Sequence, residues 1–204
     1  MKLYYAPGAC SLAAHIALQE SGLPYKVERV DLREHKTASG TDFRTINPKG
    51  YVPVLELDDG ERLTEAGVVL QYIADRNPGT LAPAWGSMAR YRLIEWINFI
   101  ATEIHKGLAP LWKPTTPEAY RSTVLANVGA RFDHVVDTLR KTPYLTGDAF
   151  TIADAYLFTI VNWHNFLDFD IERWPALQQF QARVAARPNV KKVLEDEHLL
   201  KRAA

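Results

Sequence analysis

The sequence predicts a two-part chain, an α/β N-terminal domain of element order βαβ-ββα followed by an all-α helical C-terminal domain. Three observations carry this prediction. Short strand-like runs are interleaved with helical patterns as far as Asn77-Pro78-Gly79. An Asp58-Asp59-Gly60 turn joins two of those runs. Beyond Gly86 apolar residues recur only at helical spacing. The expected division is residues 1–79 as the α/β domain, 80–86 (with Pro83 and Gly86) as a linker, and 87–204 as the helical domain.

In chain order, Lys2 to Ala6 is a strand punctuated by Pro7 and Gly8. A helix over about 11–21 follows, with Leu12, Ile16 and Leu23 giving one apolar face and Ala13 and Ala17 permitting close packing. Gly22 and Pro24 stop it. Tyr25 to Leu32 alternates apolar and charged residues, the pattern of a half-exposed strand. A polar segment with one helical turn ends at Asn47-Pro48. The runs Val52 to Leu57 and Glu61 to Thr64 flank the Asp-Gly turn as a hairpin, so part of the sheet is antiparallel. A helix over about 65–76 closes the domain. No Gly-x-Gly-x-x-Gly or P-loop follows the first strand, which argues against a doubly wound nucleotide-binding fold. Further helices are expected at about 87–108, 118–141, 152–166, 175–186 and 189–197, with Thr151 and Asp154 as a capping box that starts a buried helix.

Composition narrows the function. The chain has 204 residues, 47% hydrophobic and 24% charged, with Lys plus Arg equal to Asp plus Glu at 24 each. No basic field therefore recruits nucleic acid or an anionic membrane. No apolar run is long enough to cross a bilayer, and a strand pattern begins directly after Met1. A single cysteine argues against a disulfide-built secreted fold, so the expected compartment is the cytoplasm. It also rules out an intramolecular disulfide or a multi-cysteine zinc cage, and no metal is expected.

That cysteine, Cys10, falls where the first strand turns into the first helix. A thiol there faces unpaired backbone N–H groups and the positive end of the helix dipole, although a lone cysteine also serves as a small buried hydrophobe. Any redox or nucleophilic partner must come from solution or another chain. A second feature is a stripe along the 87–108 helix, Tyr91, Glu95, Asn98, Thr102 and His105, spaced four, three, four and three residues apart. A solvated face explains such a stripe. Its mostly uncharged hydrogen-bonding character, ending in His105-Lys106, instead suits a thiolate or proton transfer near neutral pH.

Together these strings resemble the cytosolic glutathione S-transferases, specifically the bacterial beta class, over essentially the whole chain. The matching segments are Tyr5-Ala-Pro-Gly-Ala-Cys10-Ser11, Asn47-Pro-Lys-Gly-Tyr-Val52-Pro53-Val-Leu, Leu63-Thr-Glu65, Gln71-Tyr-Ile-Ala-Asp75, Asn98-Phe-Ile, His105-Lys106 and Thr151-Ile-Ala-Asp154. The resemblance implies a thioredoxin-like N-terminal domain, an all-helical C-terminal domain, a homodimer, and glutathione as co-substrate. It implies that Val52 pairs its backbone with the cysteinyl unit, that Pro53 is cis, and that Glu65 anchors the γ-glutamyl ammonium. The Ala66 N–H would meet the neighbouring carboxylate. His35 or Lys36 would serve the glycyl carboxylate, Asn98 and Thr102 would line the cleft, and His105-Lys106 would approach the thiol. Three positions depart from the family pattern: Ala66 where Ser or Gly is frequent, Ala14 where proline is common, and His35 where lysine is common.

The chemistry implied is attack of the glutathione thiolate on a small electrophile, aromatic or halogenated compounds among them, with Cys10-dependent thiol transfer. Cys10, Ser11 (through its N–H or O–H) and His105 are the catalytic candidates, and Tyr5 is the rival activator. Tyr91, Leu108, Trp112, Trp163 and Phe166 are candidate lining for the electrophile. Alternatives are a glutaredoxin-like disulfide reductase, a glutathione-dependent dehalogenase, or a non-catalytic binding protein of the same fold.

Overall fold

The computed structural model describes residues 1–167 and 169–200. The chain divides into two compact units, one formed by Met1–Ala82 with the segment from Ala186, the other by Pro83–Ala185.

The first unit is a five-stranded sheet in the order β3-β2-β1-β4-β5 with helices α1 and α2. Its strands are β1 (Lys2–Tyr5), β2 (Lys26–Asp31), β3 (Lys36–Thr37), β4 (Val54–Glu56) and β5 (Arg62–Thr64), and its helices include α1 (Ser11–Ser21) and α2 (Ala66–Arg76). β1 runs parallel to β2 and antiparallel to β4, and β4–β5 is the expected hairpin. The short β3 lies in the segment read as polar connection; two residues give no periodicity to detect. The helical turn in that segment is present at Phe43–Thr45, started by Asp42 accepting from the Arg44 N–H.

Alternation along β1 sends Leu3 to one face and Tyr4 to the other, and both are buried. Tyr4 joins Val30, Phe43, Val52 and Val54 in one core cluster. Register then gathers the loops. Tyr4 pairs with Val54, and Val54 with Thr64, so the end of β1, the start of β4 and the end of β5 share one edge of the sheet.

Helix α1 departs from the one-faced amphipathic pattern. Nine of its eleven residues are buried, His15 and Ser21 included, because it packs against β1, α2 and α8 (Pro188–Asp196). The C-terminal segment, whose helical pattern suggested the helical domain, thus belongs with the α/β unit. Polar contacts explain the grouping. The Arg187 guanidinium grips the Glu20 carboxylate at 2.6 and 3.0 Å. Glu197, 1% exposed, accepts from the Gly8 N–H at 2.9 Å and lies 2.8 Å from His15 Nδ1.

The second unit contains α3 (Met88–Phe99), a π-helical turn at Ile100–His105, α4 (Lys106–Leu108), α5 (Glu118–Leu139), α6 (Ile152–Val161) and α7 (Pro175–Ala185). The pattern read as one helix over 87–108 is therefore interrupted, and a π turn inserts one extra residue into the helical period. Gly107 is required where α4 meets α5, since a Cβ there would lie 2.9 Å from Val128 Cγ2. All ten residues of α6 are buried. Asp154 accepts from the Thr151 N–H, the Thr151 hydroxyl and the Leu145 N–H, and burial still pushes its carboxyl up to about 6.

Two stability predictions follow from the first unit. Replacing Glu197 by Ala removes the carboxylate that meets the Gly8 N–H and the buried His15 ring and lowers the unfolding free energy by about 1–3 kcal/mol, measured by chemical denaturation. The Glu28 carboxyl, held down at about 2 chiefly by the Ser39 hydroxyl and also by the Lys2 ammonium, contributes stability present above pH ~4.5 and lost as pH falls toward 2. Glu28→Gln flattens the acid limb of a stability–pH profile in that window.

Candidate active site

At the shared sheet edge, β1 ends and residues 6–9 lead to Cys10, which occupies the N-cap position of α1. Its thiol donates to the Val52 carbonyl at 3.2 Å, tying the start of α1 to the loop before β4. The Val52–Pro53 peptide is cis, as the resemblance implies. Val52 is buried.

Ser11 is fully buried, and its hydroxyl both accepts from the Ala6 N–H (3.1 Å) and donates to the Ala6 carbonyl (3.3 Å). The hydroxyl pins the loop around Cys10. Of the two donors considered at this residue, the O–H is committed to Ala6, which leaves the backbone N–H. Tyr5 is half-buried with its ring 5.6 Å from that of His15, and burial raises its phenol pKa.

The loop before Val52 is built by Asn47. Its buried amide donates to the Tyr51 carbonyl at 2.7 Å and accepts from the Lys49 N–H at 3.2 Å, and Gly50 turns with φ 75°. Gly50 also admits the His35 ring, whose Cε1 would lie 3.2 Å from any Cβ there. His35 is half-buried with φ 51°, and its carbonyl accepts from the Phe43 N–H. Lys36, by contrast, is exposed on β3.

Glu65 caps the N-terminus of α2 at φ 67°, ψ 118°, a backbone conformation costly for a residue with a Cβ and common where function holds it. Ala66 behind it is buried. The sequence reading missed two neighbours. Lys49 Nζ lies 2.6 Å from Glu65 Oε1 and 3.0 Å from Thr64 Oγ1, and the Tyr51 hydroxyl donates to the same Glu65 oxygen at 3.4 Å. The carboxylate raises the Lys49 pKa. Lys49 alone looked like an ordinary turn lysine; its separation of 16 residues from Glu65 carries no local signal.

In the helical unit the stripe residues Tyr91, Glu95, Asn98 and Thr102 are exposed, and the Thr102 hydroxyl donates back to the Asn98 carbonyl. Lys106 is exposed, whereas His105 is half-buried. His105 Nδ1 lies 2.8 Å from the Tyr156 hydroxyl, and its ring meets Trp163 edge-on at 5.0 Å. Trp163 in turn touches Trp112, which leads to Phe166, so three of the proposed lining residues form one aromatic chain with His105. Leu108 is buried core. The only signal of Tyr156 in the sequence is that a tyrosine inside the apolar run of α6 carries a hydroxyl that needs a partner.

Among the described residues no group of three or more His, Cys, Asp or Glu side chains could hold a metal ion, and no helix is long and apolar enough to cross a membrane.

Both units match known proteins. Residues 8–76 match the family model for the glutathione S-transferase N-terminal domain, and residues 99–188 that for the C-terminal domain. The chain is 46% identical over 201 residues to the glutathione S-transferase GstA of Escherichia coli O157:H7, covering 98% of this chain and all of that protein. A sphingomonad glutathione S-transferase solved with glutathione is 42% identical with TM-score 0.93, and covers 98% of this chain and 100% of that one. The beta-class enzyme of Sphingomonas chungbukensis is 40% identical with TM-score 0.93 over the same shares.

The Asn47 scaffold gives a direct prediction. Asn47→Ala takes from the Tyr51 carbonyl and the Lys49 N–H the part-buried amide that joins them and costs about 0.5–1.5 kcal/mol of stability by denaturant titration.

Proposed function

The chain belongs to the glutathione S-transferase family, and from that premise we propose that it is a glutathione-dependent transferase acting on small aromatic or halogenated electrophiles. The observation that supports this most is the gathering of Cys10, the Val52 backbone and the Glu65–Ala66 helix start at one sheet edge. Glutathione carries an ammonium, two carboxylates, a thiol and two amides, and this edge offers a chemically matched group for each. Val52 pairs with the cysteinyl amide groups. Glu65 takes the γ-glutamyl ammonium, and the α2 N-terminus at Ala66 takes the adjacent carboxylate. His35, seated on Gly50, is better placed than exposed Lys36 for the glycyl carboxylate.

The reaction is loss of the glutathione thiol proton, attack of the thiolate on an electrophilic carbon, and departure of the leaving group with its bonding electrons. A thiol of pKa ~8.5 is only a few per cent ionised at neutral pH. Each unit of depression needs ~1.4 kcal/mol of preferential thiolate stabilisation. An exposed helix terminus supplies about 0.3–1 kcal/mol, so further donors are required. We assign these to the Cys10 thiol, the Ser11 N–H and His105, with Tyr156 orienting the imidazole. The Ser11 hydroxyl holds the loop. The aromatic chain of Trp163, Trp112 and Phe166 beside His105 suits a planar electrophile. Asn98 and Thr102 are assigned to the lining of the cleft and Lys106, with His105, to the thiol region, and a cytoplasmic homodimer fits the family and the lone cysteine.

Cys10 also supports thiol transfer. Its thiolate attacks glutathione disulfide, one S–S bond breaks as another forms, and one glutathione leaves as thiolate. Incubation with glutathione disulfide is expected to add a glutathione-sized mass to the protein, and Cys10→Ala to abolish it. A shift that persists in the variant overturns the assignment. Conjugation of an activated aryl halide is expected alongside it. Strong disulfide reduction without conjugation would instead make the chain a disulfide reductase, and failure to retain glutathione would make it a binding protein.

A further inference from the structure

Lys49 lies on the carboxylate that the reading above gives to the ligand. We propose that Lys49 is a tethered competitor, holding Glu65 through its ammonium until the γ-glutamyl ammonium of glutathione displaces it. The inference rests on that reading of Glu65 and deepens it.

The geometry has the properties such a stand-in needs. The Lys49 ammonium presents to Glu65 Oε1, at 2.6 Å, the chemical group that the ligand's amine would present. The hydroxyl of Thr64 receives the same ammonium at 3.0 Å, and the Tyr51 hydroxyl reaches the same carboxylate oxygen, so the cation sits in a small polar cradle. Both charged side chains are about half exposed, at 45% and 55%, which makes the pair weak and quick to open. The backbone beneath them is firm. Asn47 fixes the loop that carries Lys49, and the start of α2 fixes Glu65, so exchange needs only the lysine stem to swing into water.

Displacement has consequences that a structural ion pair lacks. Binding swaps one ion pair for another at Glu65, so the ligand ammonium adds little net affinity and little salt dependence. Removing the lysine charge turns the swap into a gain. The advantage vanishes for a ligand without the amine, because nothing then contests the carboxylate.

The test is titration calorimetry of the full chain with glutathione and with the analogue lacking the γ-glutamyl amine, at low and high salt. Lys49→Met is expected to tighten glutathione about two- to five-fold, to steepen the salt dependence, and to leave the des-amino analogue unchanged. Lys49→Arg restores wild-type behaviour. Unchanged or weaker glutathione binding by Lys49→Met overturns the proposal, as does equal tightening of both ligands. Glu65→Gln, made in the Lys49→Met background where no lysine contests the carboxylate, separates the two levels. If it weakens glutathione there while Lys49→Met alone does not tighten it, Glu65 is the anchor and the competitor role is wrong. If it leaves glutathione unaffected there, the anchor reading fails and the proposal with it.

Discussion

One buried carboxylate holds the α/β unit together where β1 gives way to α1. Glu197 accepts from the Gly8 N–H, two residues before Cys10, and lies against His15 on the helix that Cys10 begins. A charge removed from water is tolerated only when its lone pairs are met, and both oxygens are. The same contacts explain why α1 is buried on nearly every side and why a histidine sits in its core. The loop that delivers the thiol is pinned from two directions, by Glu197 at Gly8 and by the Ser11 hydroxyl at Ala6.

The rest of the site is a matter of strand register. Because Tyr4, Val54 and Thr64 are cross-strand neighbours, three loops distant in sequence open at one edge. Cys10 then bridges to Val52, and the constrained backbone at Glu65 turns its carboxylate into the cradle shared with Lys49 and Tyr51. Within the helical unit, taken by itself, the order is of a different kind, an aromatic chain ending on a histidine whose ring is held by a buried tyrosine.

Much of this was legible in the chain itself. The Asp-Gly turn, the Thr151–Asp154 box and the periodicity of α5 and α7 are local signals, and local signals specify local structure. The position of Cys10 ahead of α1 was readable for the same reason. What escaped depends on distance. Glu197 closes a run of acidic residues that reads as a solvated helix end, and nothing near it announces a partner 182 residues away. Lys49 is invisible until β4 and β5 pair. The π turn at Ile100–His105 also resists reading, because the polar stripe through it satisfies an ordinary helical spacing and only the backbone reveals the extra residue.

The return of α8 to the first unit sets the order in which the molecule can be completed. During synthesis from the N-terminus, the sheet and α1 emerge first, yet the acceptor for the Gly8 N–H and His15 lies beyond residue 195. The whole second unit must leave the ribosome before the thiol-bearing loop receives its last buried contacts. Assembly of the Cys10 loop thus waits on the emergence of α8, so a nascent fragment stopped short of that helix lacks the contact that seats the thiol.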